Sequence, residues 1–330
     1  MATLSTNNPT LADVAKRNDP DGRIDTIVEL LSETNEVLED MTFLEGNLPT
    51  GHRTTIRSGL PSATWRKLNY GVQPSKSTTV QVTDSCGMLE AYAEVDKALA
   101  DLNGNTGSFR LSEDRAFLES MNQTMAETMF YGDTGTDPEK FLGLASRFSS
   151  TTAENGGNII AGGGSGSDNT SIWLVVWGPN TVHGIYPKGS QAGLKHSDLG
   201  EWTLEDAAGG KYQGYRTHYK WDIGLSMRDW RYVVRIPNVD VSDLSATKAG
   251  SSADLTDLMV QAIERVPNLG LGRAVFYGNR TISSFLRRQI TNTTNVRLAM
   301  DEVAGKRVMT FDGIPFRRND ALLNTEATVS

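Results

Sequence analysis

The chain has 330 residues, 32 Lys plus Arg against 40 Asp plus Glu, and a formal net charge of −8, so it can bury a real core but lacks a general electrostatic grip on nucleic acid. A single cysteine, Cys86, excludes an intrachain disulfide, and with no His/Cys cluster beside it a structural zinc site is excluded too. No window reaches the ~20 apolar residues that span a bilayer, nothing at the amino terminus reads as a signal peptide, and no membrane partner is expected.

Residues 1–22 are polar and punctuated by Asn-Asn-Pro, Asn-Asp-Pro and Asp-Gly, the pattern of an arm without a core of its own. IDTIVELLSETNEVLED follows, with Ile24, Ile27, Val28, Leu31, Val37 and Leu38 near helical spacing, which predicts an amphipathic helix. Between residues 46 and 87, Pro-Thr-Gly, Ser-Gly-Leu-Pro and Tyr-Gly-Val-Gln-Pro interrupt short β-prone runs, so extended hairpins are expected. Apolar residues there are too sparse for a globular core. The stretch carries His52, Arg53, Arg57, Trp65, Arg66 and Lys67, a basic and aromatic mixture suited to lying on another surface, and these six are the candidate intersubunit contacts. Stacking on nucleic acid is the competing use of such a mixture.

MLEAYAEVDKAL, residues 88–99, fits a strand or a helix. The clearest helix is expected at 112–131, with Ser112 as N-cap, Glu113 and Asp114 at the positive end of the dipole, Phe117, Leu118, Met121, Met125 and Met129 on the buried face, and Gly132 as the stop. The glycine-rich AGGGSGSDNT precedes the apolar run Ile172–Val176. A phosphate-binding loop needs the reverse order, strand first and helix after, so the simpler reading is a flexible connection. Residues 215–237 read as two long strands separated by Met227-Arg228-Asp229-Trp230. SSADLTDLMVQAIERVP predicts a helix capped by Ser252, with Leu255, Leu258, Met259 and Ile263 inward. RAVFYGNR is a strand, TISSFLRRQI a helix, and KRVMTFDGIPFRRND a hairpin turning at Asp312-Gly313. Strands and helices mix without regular βαβ alternation, which defines an α+β chain.

Chemistry-bearing patterns are missing. His52, His183, His196 and His218 form no HExxH and face no GxSxG. Adjacent carboxylates such as Glu113/Asp114 and Asp301/Glu302 point in different directions and make poor acid/base pairs. Asp198, Glu201, Glu205 and Asp206 are numerous enough for a calcium site but lack the order of a cation-binding loop, and scattered surface acids are the plainer account. No catalytic residue, cofactor or metal is expected.

RAVFYGNRTISSFLRRQITN followed by VMTFDGIPFRRNDALL resembles the end of a tailed-bacteriophage major capsid protein of the Hong Kong 97-type fold, through Phe276, Asn279, Thr281, Gly313, Ile314, Pro315, Phe316 and Asp320. NLPTGHRTTIRSGLPSATWRKLNYGVQPSKSTT and IWLVVWGPNTVHGIYPKGS are similar to capsid subunits of short-tailed, podovirus-type phages. The resemblance implies an N-terminal arm and helix at 1–45, an extended β-hairpin loop at 46–87, a peripheral domain with its spine helix and glycine-rich loop at 88–245, and an axial-domain-like portion at 246–330. It implies self-assembly into hexamers and pentamers, an icosahedral head enclosing double-stranded DNA without sequence-specific binding, and a virion assembled in the host cytoplasm. The short stretch before the first helix favours a separate scaffolding protein, and a portal protein and a decoration or cement protein are further expected partners. Some relatives form Lys-Asn crosslinks, for which Lys67 or Lys76 would be the donors; no sequence feature supplies the required acid, and ordinary solvated lysines are expected. A tail tube or ring protein, and after it a nucleotide-binding enzyme, are the alternatives.

Overall fold

In the computed structural model the described residues are 9–10, 33–104, 106–206, 208–244, 253–291, 298–303 and 306–330. The arm, most of the helix expected at 24–40, and the Ser252 cap lie outside them. In chain order the elements are α1 (Val37–Asp40), β1 (Phe43–Glu45), β2 (Gly51–Gly59), β3 (Thr78–Asp96), α2 (Lys97–Ala100), α3 (Thr106–Tyr131), α4 (Leu144–Arg147), β4 (Asn169–Trp177), β5 (Val182–Tyr186), β6 (Leu194–Glu205), β7 (Lys211–Met227), β8 (Val233–Asp240), α5 (Leu255–Arg265), β9 (Arg273–Gly278), α6 (Arg280–Thr291), β10 (Leu298–Val303), β11 (Lys306–Phe311) and β12 (Ile314–Arg318).

These elements gather into two compact units. One contains Asn35–Gly87, Glu127–Ala192 and Ile223–Ser330; the other contains Met88–Ala126 and Gly193–Asp222. This grouping by contacts runs across the expected blocks at 88–245 and 246–330. Strand β4 is the reason: it pairs antiparallel with β8 on one edge, Leu174 opposite Val234, and antiparallel with β9 on the other, Leu174 opposite Phe276. Those pairings draw 127–192 and 223–244 into one unit with the C-terminal segment.

In the larger unit every residue of β4 is buried, as befits a strand covered on both faces. Ile172, Leu174 and Val176 meet Val234, Ile236, Phe276 and Phe311, and α5 and α6 add Leu255, Met259, Ala262, Ile282 and Leu286. Helix α5 starts at Leu255 because Asp254, two residues beyond the expected Ser252, accepts hydrogen bonds from the Thr256 and Asp257 N–H groups at 3.1 Å. Asn279 caps α6 by accepting from Ile282 N–H at 3.0 Å. The last hairpin joins β11 to β12 through Asp312 and Gly313, whose φ angles are +51° and +79°. Two successive left-handed residues match the twist of the flanking strands, and Asp-Gly tolerates that conformation best. Beyond it the chain is tied down by Glu326, whose carboxylate meets Arg235 at 2.8 Å, with Tyr131 and Ser171 also donating to it. Both ion-pair partners are nearly inaccessible, at 5% and 4%.

The smaller unit packs the helix end of β3 and part of α3 with β6 and β7. Ala93, Met121 and Tyr219 form one cluster, supported by Leu89, Phe117 and Trp221, while Val95, Ala100 and Phe109 form another. The 88–99 ambiguity resolves as strand through Asp96, whose side chain then caps α2 by accepting from Ala98 N–H at 2.8 Å. Helix α3 begins at Thr106, six residues before the expected Ser112, and its 26 residues span about 39 Å. Met121, Met125 and Met129 are buried, whereas Leu118 is 38% exposed and leaves the expected buried face. Gly132 ends the helix, donating its N–H to Thr128 O at 2.8 Å.

Candidate assembly surface

Strands β2 and β3 pair antiparallel from Gly51 opposite Ser85 to Gly59 opposite Thr78, with a bulge between Arg57 and Gly59. Arg53 is pinned at the root: its N–H donates to Asn47 Oδ1 at 2.7 Å and its Nε to Thr83 Oγ1 at 3.2 Å. Further out, Ser58 and Thr78 hydroxyls meet at 3.0 Å and Ser75 Oγ donates across the loop to Ser62 O at 2.9 Å. Residues 60–77 are all exposed. Fixing each costs about 1–2 kcal/mol of backbone entropy, and nothing among the described residues offsets that by burial.

The residues left in water there are not typical of a free surface. Trp65 is fully exposed at 102%, and Leu60, Leu68 and Tyr70 stand at 80%, 85% and 71%. An apolar group of this size marks a surface awaiting a partner. Arg57, Arg66, Lys67 and Lys76 make no ion pair among the described residues, and from Gly46 to Thr83 the sequence holds no Asp or Glu. Of the six expected contacts, Arg53, Arg57, Trp65, Arg66 and Lys67 are exposed along this hairpin. His52 is not: at 7% exposure it lies inside its own unit, edge-on to His183 and 3.2 Å from Arg228 Nη2. Placed second in β2, it alternates with exposed Arg53 and points inward. Sequence reading missed Leu60, Leu68 and Tyr70; their signal was apolar side chains scattered between turn residues with no strand or helix period to bury them.

Several charges in the smaller unit are satisfied locally. Arg216 pairs with Glu94 and sits over the rings of Tyr92 and Trp202, at 5.5 and 5.6 Å. Lys220 and His218 both reach Glu90, whose carboxyl is held below its usual range chiefly by the hydrogen bond from Lys220. The four acids weighed as a calcium site are dispersed. Asp198 binds Arg110 at 2.6 Å, and that bond foremost lowers its pKa; Glu201 pairs with Lys97; Asp206 accepts from Gly210 N–H at 2.7 Å; Glu205 lies exposed at the end of β6. No group of metal-ligating side chains occurs among the described residues. The glycine loop has likewise committed its amides: Gly162 N–H donates to Pro237 O at 2.8 Å and Gly164 N–H to Asn238 O at 2.7 Å. These two bonds seat the loop on β8.

An exposed two-stranded loop, a long helix and a mixed sheet joined to the final hairpin define a capsid subunit of the Hong Kong 97-like fold. The chain matches the family described as Major capsid protein GP7 over residues 19–330 and belongs to that family. It is similar to a chain of the bacteriophage Epsilon15 particle solved by cryo-EM, with 40% identity, a TM-score of 0.75, and coverage of 100% of this chain and 99% of that one. The bacteriophage JBD30 capsid shares the fold alone, with 8% identity, a TM-score of 0.50, and coverage of 89% and 92%. No curated protein matches the chain. As a major capsid protein it assembles with copies of itself into the icosahedral shell of a virion.

Proposed function

We propose that copies of this chain close into hexamers and pentamers around double-stranded DNA, each laying its 60–77 loop across a neighbour. The observation that carries this reading is Trp65, wholly exposed within a segment, 60–77, whose residues are all exposed among the described residues. Burial of ~200 Å² of indole is worth about 5 kcal/mol before ordering costs, and small contacts repeated around rings multiply. Arg53, Arg57, Arg66 and Lys67 serve as flanking contacts. In domain terms, 46–87 is the extended loop, residues 1–45 the arm, the smaller unit the peripheral domain and the larger unit the axial domain with its attachments. The net charge of −8 suits a wall on which packaged DNA slides without sequence-specific contacts. A separate scaffolding protein, a portal and a decoration protein complete the assembly in the bacterial cytoplasm. Lys67 and Lys76 act as charges and not as crosslink donors, so subunits from mature particles give a single monomer mass.

The test is electron microscopy of the purified full chain beside Trp65→Ala. Wild type gives closed shells, and the variant gives soluble, folded subunits with few shells. Tubes or flat rings from wild type favour a tail protein, and equal loss of soluble subunit in the variant removes Trp65 from the interface.

A further inference from the structure

The root of the loop holds two buried histidines. His52 enters β2, and His183 lies on β5 in register with Ser226 of β7. Their rings meet edge to face at 5.9 Å, with His183 fully buried. Arg228, just beyond β7, places Nη2 3.2 Å from His52 Nε2. A guanidinium can only donate, so that contact requires Nε2 to carry no proton and His52 to be neutral. The carboxylate facing the cluster is Asp84 of β3, and it is already engaged: it binds Arg147 of α4 at 2.8 Å and accepts from Met227 N–H at 3.3 Å. Burial first, then Arg228 and His52, hold the His183 pKa down to about 4, with Asp84 and the Gly178 backbone pulling weakly the other way. Burial and then Arg228 lower His52 as well, against Asp84.

We propose that His52, His183 and Arg228 form an acid-sensitive latch at the root of the 46–87 loop: protonation replaces a hydrogen bond with a like-charge contact and loosens β2 from β5. An opened root frees both imidazoles to return toward about 6.5. The closed form thus binds protons less readily than the open one. Its advantage is complete above about pH 6.5 and falls as pH drops from there toward the value for His183, by roughly tenfold in the opening equilibrium per pH unit from His183, with His52 acting in the same direction. Asp84 is already paired with Arg147, so the response is assigned through the histidine variants. The latch goes beyond the assembly reading, because a subunit that never assembles still shows it.

Hydrogen exchange on unassembled full-length subunits, corrected for the intrinsic rate at each pH, reads the opening of peptides spanning 48–58 and 78–87. Between pH 6.5 and 5, opening in wild type rises at least tenfold while peptides from β4 and β9 hold steady, and His52→Asn with His183→Gln flattens the profile. A flat wild-type profile, or one that persists in the double variant, overturns the latch. Ring-proton NMR of wild type supplies a measurement independent of the variants' folding: depressed titration of His183 supports the latch, and an ordinary value near 6.5 overturns it.

Discussion

Two hairpins of the larger unit solve opposite problems. The one at 306–318 turns in two residues, Asp312 and Gly313, and sends Phe311, Ile314 and Phe316 into its own core. The one at 51–85 leaves its strands for residues 60–77 and places Trp65, Leu68 and Tyr70 in water. Tight turn chemistry identifies a hairpin that its own subunit completes; turn signals interrupting scattered apolar residues identify one whose tip its own strands leave exposed. On the proposed reading, folding and assembly draw on different residues, and substitutions can separate them.

The largest effect on folding is expected where the core side is tied together. Arg235→Ala strands a buried Glu326 and should lower stability by about 3–5 kcal/mol, visible as a shift of the urea midpoint with unchanged slope. Loss of a purely exposed contact would leave that midpoint in place. A smaller change is expected at the tight turn, where Gly313→Val forces a β-branched residue to φ +79° and should cost about 1–2 kcal/mol, measured the same way. The smallest belongs to the loop: Arg66→Ala should alter subunit stability by under about 0.5 kcal/mol, while light scattering shows assembly that has become less sensitive to salt. If Arg66→Ala unfolded the subunit as Arg235→Ala does, the contrast between the hairpins would vanish.

The short-range features were readable from sequence to the extent that their determinants are local. Asp312-Gly313 specifies its turn without help, and the apolar Ile172–Val176 run specifies a buried strand. Ser112 misplaced the start of α3 because a good capping residue also sits comfortably inside a helix, and Phe109, upstream of it, finds its cover in Val95 and Ala100, a tertiary contact no local pattern contains. The same limit explains the domain boundaries, since pairing of β4 with β8 and β9 joins segments far apart in the chain. At the assembly surface the basic and aromatic composition of 46–87 was legible, but the inward turn of His52 was not: the identical side chain serves as a surface contact or a buried base, and only the alternation of a paired strand decides which.

The stretch from Gly46 to Thr83 contains cations and no carboxylate. Two such fingers repel when brought tip to tip, so like surfaces resist pairing across a two-fold axis. On the proposed reading each instead meets a different, more acidic region on the next molecule, which gives every junction a donor side and a recipient side. Repeated with the same sense, that directionality propagates around a closed ring instead of stopping at a dimer.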